Sequence, residues 1–232
     1  MKFISLGSSC SIAENLRQLN LRDQALPFDW IKVNNFKNIN LMIQDNFNKL
    51  WNSNYFNLVK TSSKFFYLQD NLKKVYIDMD IYQNTKYNAT FYHDFPSNSN
   101  NLYENFIEKY QKRVSRFLNI LQESNSIIFI REQINPKQIC IDDLLEFYQL
   151  IHKINPNLEF KLVIILNNFL KKDIDKLINF CDSQKWIDFF VEETRIKSWQ
   201  RSDIIKPILN QICHDQNQNQ NQNQNLQSQI DL

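Results

Sequence analysis

The chain carries a single glycine in 232 residues. Walker-type and dinucleotide-type phosphate loops need several glycines, so both are excluded, as is any collagen-like repeat. Cysteine is sparse and scattered. Cys10, Cys140, Cys181 and Cys213 form no CxxC pair, so neither a zinc site nor a disulfide scaffold is expected. Reduced thiols in a cytoplasmic compartment are expected instead. No run approaches the roughly 18 apolar residues of a membrane span, so no membrane association is expected. The opening MKFISLGSSC is interrupted by Gly7, Ser8 and Ser9 and does not read as a signal peptide. Charge of one sign is also lacking: 27 Lys+Arg against 25 Asp+Glu leave +2. A strongly basic nucleic-acid binder is therefore not expected. Nothing in the sequence calls for a metal or a cofactor.

What is present reads as a globular chain, 43% hydrophobic and 22% charged. Residues 216–232 are a Gln/Asn-rich run, expected to be disordered because it cannot bury enough apolar surface to offset its ordering entropy. Residues 1–215 are expected to form one α/β domain. Lys2–Leu6 reads as a buried strand, and Ser11–Leu19 as a helix with Ser11 and Glu14 as its capping box. Phe36–Phe47 reads as a helix. A strand-rich insertion spans about 51–100, with strands at Tyr55–Val59, Lys64–Leu68 and Lys73–Asp78 and a turn at Asp70-Asn71. Leu102–Gln122 is a long helix whose apolar face is Phe106, Tyr110, Val114, Phe117 and Leu121. Strands at Ser126–Arg131, Phe160–Leu166 and Ile187–Glu192 then alternate with helices at Ile141–Ile154, Leu170–Cys181 and Ser202–Cys213. Near-continuous apolar strands between amphipathic helices predict a mainly parallel sheet in a three-layer sandwich, flavodoxin-like or hydrolase-like.

The sole glycine stands in a strand–Gly7-Ser8-Ser9-Cys10–helix turn. A helix start offers unpaired N–H groups, expected to lower the Cys10 pKa or to hold an oxyanion or phosphate. Position alone leaves Cys10 either an activated thiol or a small buried residue filling the turn. His93 lies in Phe91-Tyr92-His93-Asp94-Phe95-Pro96, an apolar setting beside an acid. Its tautomer and pKa would be set locally, and it reads equally as structural or functional. Arg131-Glu132, Asn167-Asn168 and Glu192-Glu193 end later strands and would project toward the same sheet edge as Cys10.

Ser5-Leu6-Gly7-Ser8-Ser9-Cys10, Leu16-Arg17, Leu21-Arg22 and Pro27-Phe28-Asp29-Trp30 together resemble a domain family labelled "putative papain-like cysteine peptidase", with bacterial and large-DNA-virus members. His93-Asp94-Phe95, the helix stretch Arg113–Leu118 and Ile128–Arg131 extend the resemblance over roughly residues 3–200. It implies Cys10 as nucleophile and His93 as base, with Asp94, Asn167 or Asp29 orienting the imidazole. If the chain is viral, the compartment is the host cytoplasm. Three functions follow. One is a thiol hydrolase acting on an amide or ester of a peptide or small molecule. A second is a phosphate or sugar-nucleotide domain using Ser8, Ser9, Arg113, Arg116 and Arg131. The third is a catalytically silent interaction module.

Overall fold

The computed structural model describes residues 1–68, 74–97, 100–134, 138–167, 174–192, 202–203 and 205–214. The turn expected at Asp70-Asn71, the strand-end residues Asn168 and Glu193, and the Gln/Asn tail lie outside these.

The fold is mixed α/β with two four-stranded sheets. The first is parallel. Its strands are β1 (Lys2–Ser5), β6 (Ser126–Gln133), β7 (Glu159–Asn167) and β8 (Ile187–Glu192), in that order. The second is antiparallel, ordered β2 (Ile31–Val33), β5 (Ala89–Phe91), β4 (Lys74–Asn84) and β3 (Phe56–Leu68). The helices are α1 (Ser11–Gln18), α2 (Phe36–Gln44), α3 (Leu102–Glu123), α4 (Ile141–Ile154), α5 (Asp175–Ser183) and α6 at 205–214. No helix among the described residues is long and apolar enough to cross a membrane.

Alternation along the parallel strands divides the core. Ile127, Phe129, Leu162 and Ile164 face α2–α5 and the second sheet. Ile128, Ile130, Val163 and Ile165 pack with Ile12 and Leu16 of α1 and with Ile205, Leu209 and Ile212 of α6. The five apolar residues of α3 are its buried face. Parallel strands covered on both faces must be apolar at nearly every position, which is why β6 and β7 were legible as continuous runs.

Two local expectations are corrected, and one strand stands where the sequence predicts none. β2 has only three residues, Ile31-Lys32-Val33, too few to show a period, yet it pairs with β5. The expected strands Tyr55–Val59 and Lys64–Leu68 are one strand, β3. Two register shifts between Leu58 and Ser63, with Ser62 at φ 47°, break its alternation. The capping box does not form. Cys10, not Ser11, is the N-cap of α1, and Glu14 instead receives Arg17 and Gln18. Among the described residues, asparagine takes half of the left-handed backbone positions (Asn20, Asn46, Asn88 and Asn101) in a chain with one glycine.

Arg131 ties the two sheets. The residue parity that sends Phe129 toward the second sheet sends Arg131 there too, fully buried. Its Nη1 donates to Leu6 O (2.8 Å), just beyond β1, and its Nη2 to Val33 O (2.9 Å) and Asn34 O (2.8 Å), at the end of β2. Nε donates to Gln133 Oε1 (2.6 Å), and the guanidinium lies over Phe36 at 5.5 Å. Burial pulls its pKa down to about 9, so it is still charged at neutral pH. Replacing it leaves buried carbonyls without donors, each costing about 1–3 kcal/mol. Arg131→Met should lower stability in urea unfolding by about 3 kcal/mol or more. An unchanged midpoint and slope would contradict this role. Gly7 has φ +71°, and a Cβ there would lie 3.4 Å from Ile31 O. Gly7→Ala should therefore cost about 1–2 kcal/mol in the same assay.

Candidate active site

The first turn is shaped by what it passes. Leu6 N–H still bonds Ile130 O (2.9 Å), and then Gly7 and Ser8 both turn left-handed, at φ 71° and 75°. At Gly7 the backbone runs against the carbonyls of Phe28 and Ile31. This contact brings the Gly7–Cys10 turn and the Pro27–Trp30 segment together.

Beyond the turn, Glu132 is buried on the α1 side of β6. Its carboxyl accepts hydrogen bonds from the Ser9 hydroxyl (2.6 Å) and the Ser11 hydroxyl. The expected anion site at the helix start is thus filled from within by a side chain of the protein. Ser8 is buried and its Oγ has no hydrogen-bond partner. Arg131 is enclosed among main-chain carbonyls and is not available to an outside anion, which corrects its assignment to substrate binding. Asn167 ends β7 opposite Glu192; its side chain lies outside what is described.

Asp29 is fully buried. One carboxyl oxygen receives Leu26 N–H (2.8 Å) and Arg22, while Oδ1 has no hydrogen-bond partner. Burial pushes its pKa up, and Arg22, the Leu26 N–H and Arg113 counter this. Enclosed in this way, Asp29 acts on the Cys10 thiol through its charge. Arg22 lies over the Trp30 ring at 5.5 Å, and Trp30 meets the His93 ring edge-on at 5.9 Å.

His93 and Asp94 occupy a bend hung from β4. Before the bend, Phe91 of β5 pairs with Tyr82. After it, Phe95 O accepts from Asp80 N (2.7 Å), Pro96 bridges Met79, and Ser97 N donates to Asp78 O (2.9 Å). The bend is therefore held at both ends. Asp94 is buried, 2.5 Å from Lys109 Nζ and 3.0 Å from the Tyr110 hydroxyl that donates to it. Arg113 lies over the Tyr110 ring at 4.9 Å.

Electrostatics joins these parts. Burial first, and then the charges of Asp94 and Asp29, push the half-exposed Cys10 thiol up to about 12. The expected lowering of this pKa by the helix start is overturned, because buried acids and loss of water outweigh the helix N–H groups. His93 moves the other way. Burial holds it below the usual imidazole value, with Asp94 opposing and Lys109 adding to the shift. Tyr110 is pushed well above its ordinary value by burial and by Asp94. At neutral pH the site thus holds an un-ionised thiol and a neutral imidazole, both under the field of Asp94. A neutral imidazole can accept a proton as a thiol attacks a carbonyl.

Of the residues expected from sequence, Cys10, Asp29, His93, Asp94 and Arg113 fall in one neighbourhood. Ser8 and Ser9 belong to the turn behind it, and Arg131 to the junction of the sheets. Sequence reasoning missed Arg22, Trp30, Lys109 and Tyr110 as site components. In the sequence Tyr110 belongs to an apolar helix face, where a tyrosine among phenylalanines is the available signal.

A family model described as "Putative papain-like cysteine peptidase" matches residues 1–168. An uncharacterized protein of Acanthamoeba polyphaga mimivirus, R408, is 27% identical over 209 residues, covering 87% of this chain and 93% of that protein. No solved structure matches the chain. The matched span contains the Cys10 turn, the Pro27–Trp30 segment, the His93-Asp94 bend and all of α3, and the chain belongs to the family so described.

Proposed function

We propose that the protein is a hydrolase with a cysteine nucleophile, acting on an amide or ester bond, with Cys10 as nucleophile and His93 as base. The observation that carries this reading is family membership over a span that holds the Cys10 turn and the His93-Asp94 bend together. The buried Asp94 carboxylate, gripped by Lys109 and Tyr110 and close enough to raise the Cys10 pKa, supports it. The apolar clusters on both faces of the parallel sheet support a three-layer architecture, with Cys10 just beyond the carboxyl end of β1, where α/β folds bind ligands.

In this mechanism Cys10 Sγ attacks the substrate carbonyl carbon while its proton passes to His93. The imidazolium, held by the Asp94 charge, returns the proton to the leaving amine or alcohol. Water then hydrolyses the acyl-thioester, with His93 again as base. The high thiol pKa couples proton transfer to attack, so no resting thiolate is needed. A phosphate-binding domain is less well supported, because Glu132 fills the helix start and Arg131 is enclosed.

A panel of fluorogenic peptide amides and esters should include a substrate whose turnover falls at least about a hundredfold in Cys10→Ala and in His93→Ala. Turnover unaffected by Cys10→Ala would refute the assignment. The rate should rise with pH as His93 loses its proton, with a midpoint below the ordinary imidazole value of 6.5. A midpoint above that value would mean that another group is the base. Asp94→Asn removes a negative charge that disfavours thiolate. Iodoacetamide should therefore label Cys10 several-fold faster at pH 8, read by peptide mass, while hydrolysis slows for want of the imidazolium's counter-charge. Slower labelling would contradict the electrostatic picture.

A further inference from the structure

Beside the site, α3 and the backbone at Ala25 form an open groove of about 400 Å3. Its lining includes Lys109, Lys112, Arg113 and Arg116, with Glu108 as the one acid. Lys112 pairs with Glu108 on the surface at 2.5 Å. Arg116 uses one N–H on Ala25 O (2.8 Å). Arg113 Nη1 is sealed from solvent with no hydrogen-bond partner. Lys109 stands at the inner wall, partly exposed, and its Nζ grips Asp94, whose charge reaches Cys10. The groove is therefore a local excess of positive charge on a chain of net charge +2, one ion pair away from the thiol's electrostatic environment.

We propose that this groove is a substrate subsite that takes an acidic side chain, so that the protein selects acidic peptides. The proposal rests on the hydrolase reading above. Arg116 offers a planar fork, and Lys112, held only by a weak exposed pair to Glu108, offers a point charge that can turn to an incoming carboxylate. Four cations are too few for a nucleic-acid track, where specific binders neutralise about 6–10 phosphates. The α1 start that would favour a phosphate is filled by Glu132.

The test uses the full chain with Cys10→Ser, so that bound peptide is not consumed. Fluorescein-labelled hexapeptides, Glu-rich and with Gln in place of Glu, are compared by anisotropy. The Glu peptide should bind about tenfold tighter at low salt, with the preference shrinking as salt rises. Lys112→Gln with Arg116→Gln should abolish the preference. Lys112→Glu, altering only an exposed side chain, should reduce it even if the double variant is unstable. Equal affinity for the two peptides, or an undiminished preference in Lys112→Glu, overturns the proposal. So does direct binding of inorganic phosphate, read by calorimetry, with no binding of the Glu peptide, which would make the groove a phosphate site. The hydrolase reading is judged separately, by Cys10-dependent turnover in the unaltered chain. Acidic preference without turnover would leave the groove a binding site and refute only the hydrolase.

Discussion

A buried cation holding main-chain carbonyls is the constraint on which the molecule depends. Among the described residues, no carboxylate pairs with Arg131. It is solvated instead by the carbonyl dipoles of Leu6, Val33 and Asn34 and by the Gln133 amide oxygen. Moving a guanidinium out of water is costly unless its donors are matched. The matching groups come from β1's end, β2's end and β6 itself, so the charge is comfortable only when both sheets are docked in register. The hand of the Gly7-Ser8 turn, and with it the placement of Cys10, follows from that docking.

Glu132 shows how one step along a strand separates roles. It sits next to Arg131, yet pleating sends it to the opposite face, against α1. The two neighbours do not form a pair; each stabilises a different junction. The charge at the sheet edge is therefore organised for assembly, while the groups acting on the thiol arrive from Asp29, the His93-Asp94 bend and α3.

The parallel half of the fold was legible because burial on both faces leaves an unmistakable apolar signature in β6 and β7, and because α3's face repeats cleanly. β2 and the bulged β3 were not, since three residues carry no period and a register shift erases one. In the site, Cys10, His93 and Asp94 could be singled out from residue type, the lone glycine and a family likeness. The direction of the thiol's pKa could not. It is set by acids distant in sequence that fold close, while the local helix start argued the opposite. Arg131 reads from sequence as a strand end, but β6 continues to Gln133, and sequence carries no sign that a second sheet roofs this part of the strand.

The thiol and the imidazole ride on different sheets, Cys10 beyond β1 of the parallel one and His93 on a bend hung from β4 of the antiparallel one. Any slip of one sheet across the other would therefore change the separation of these two side chains before either sheet had lost a ladder bond.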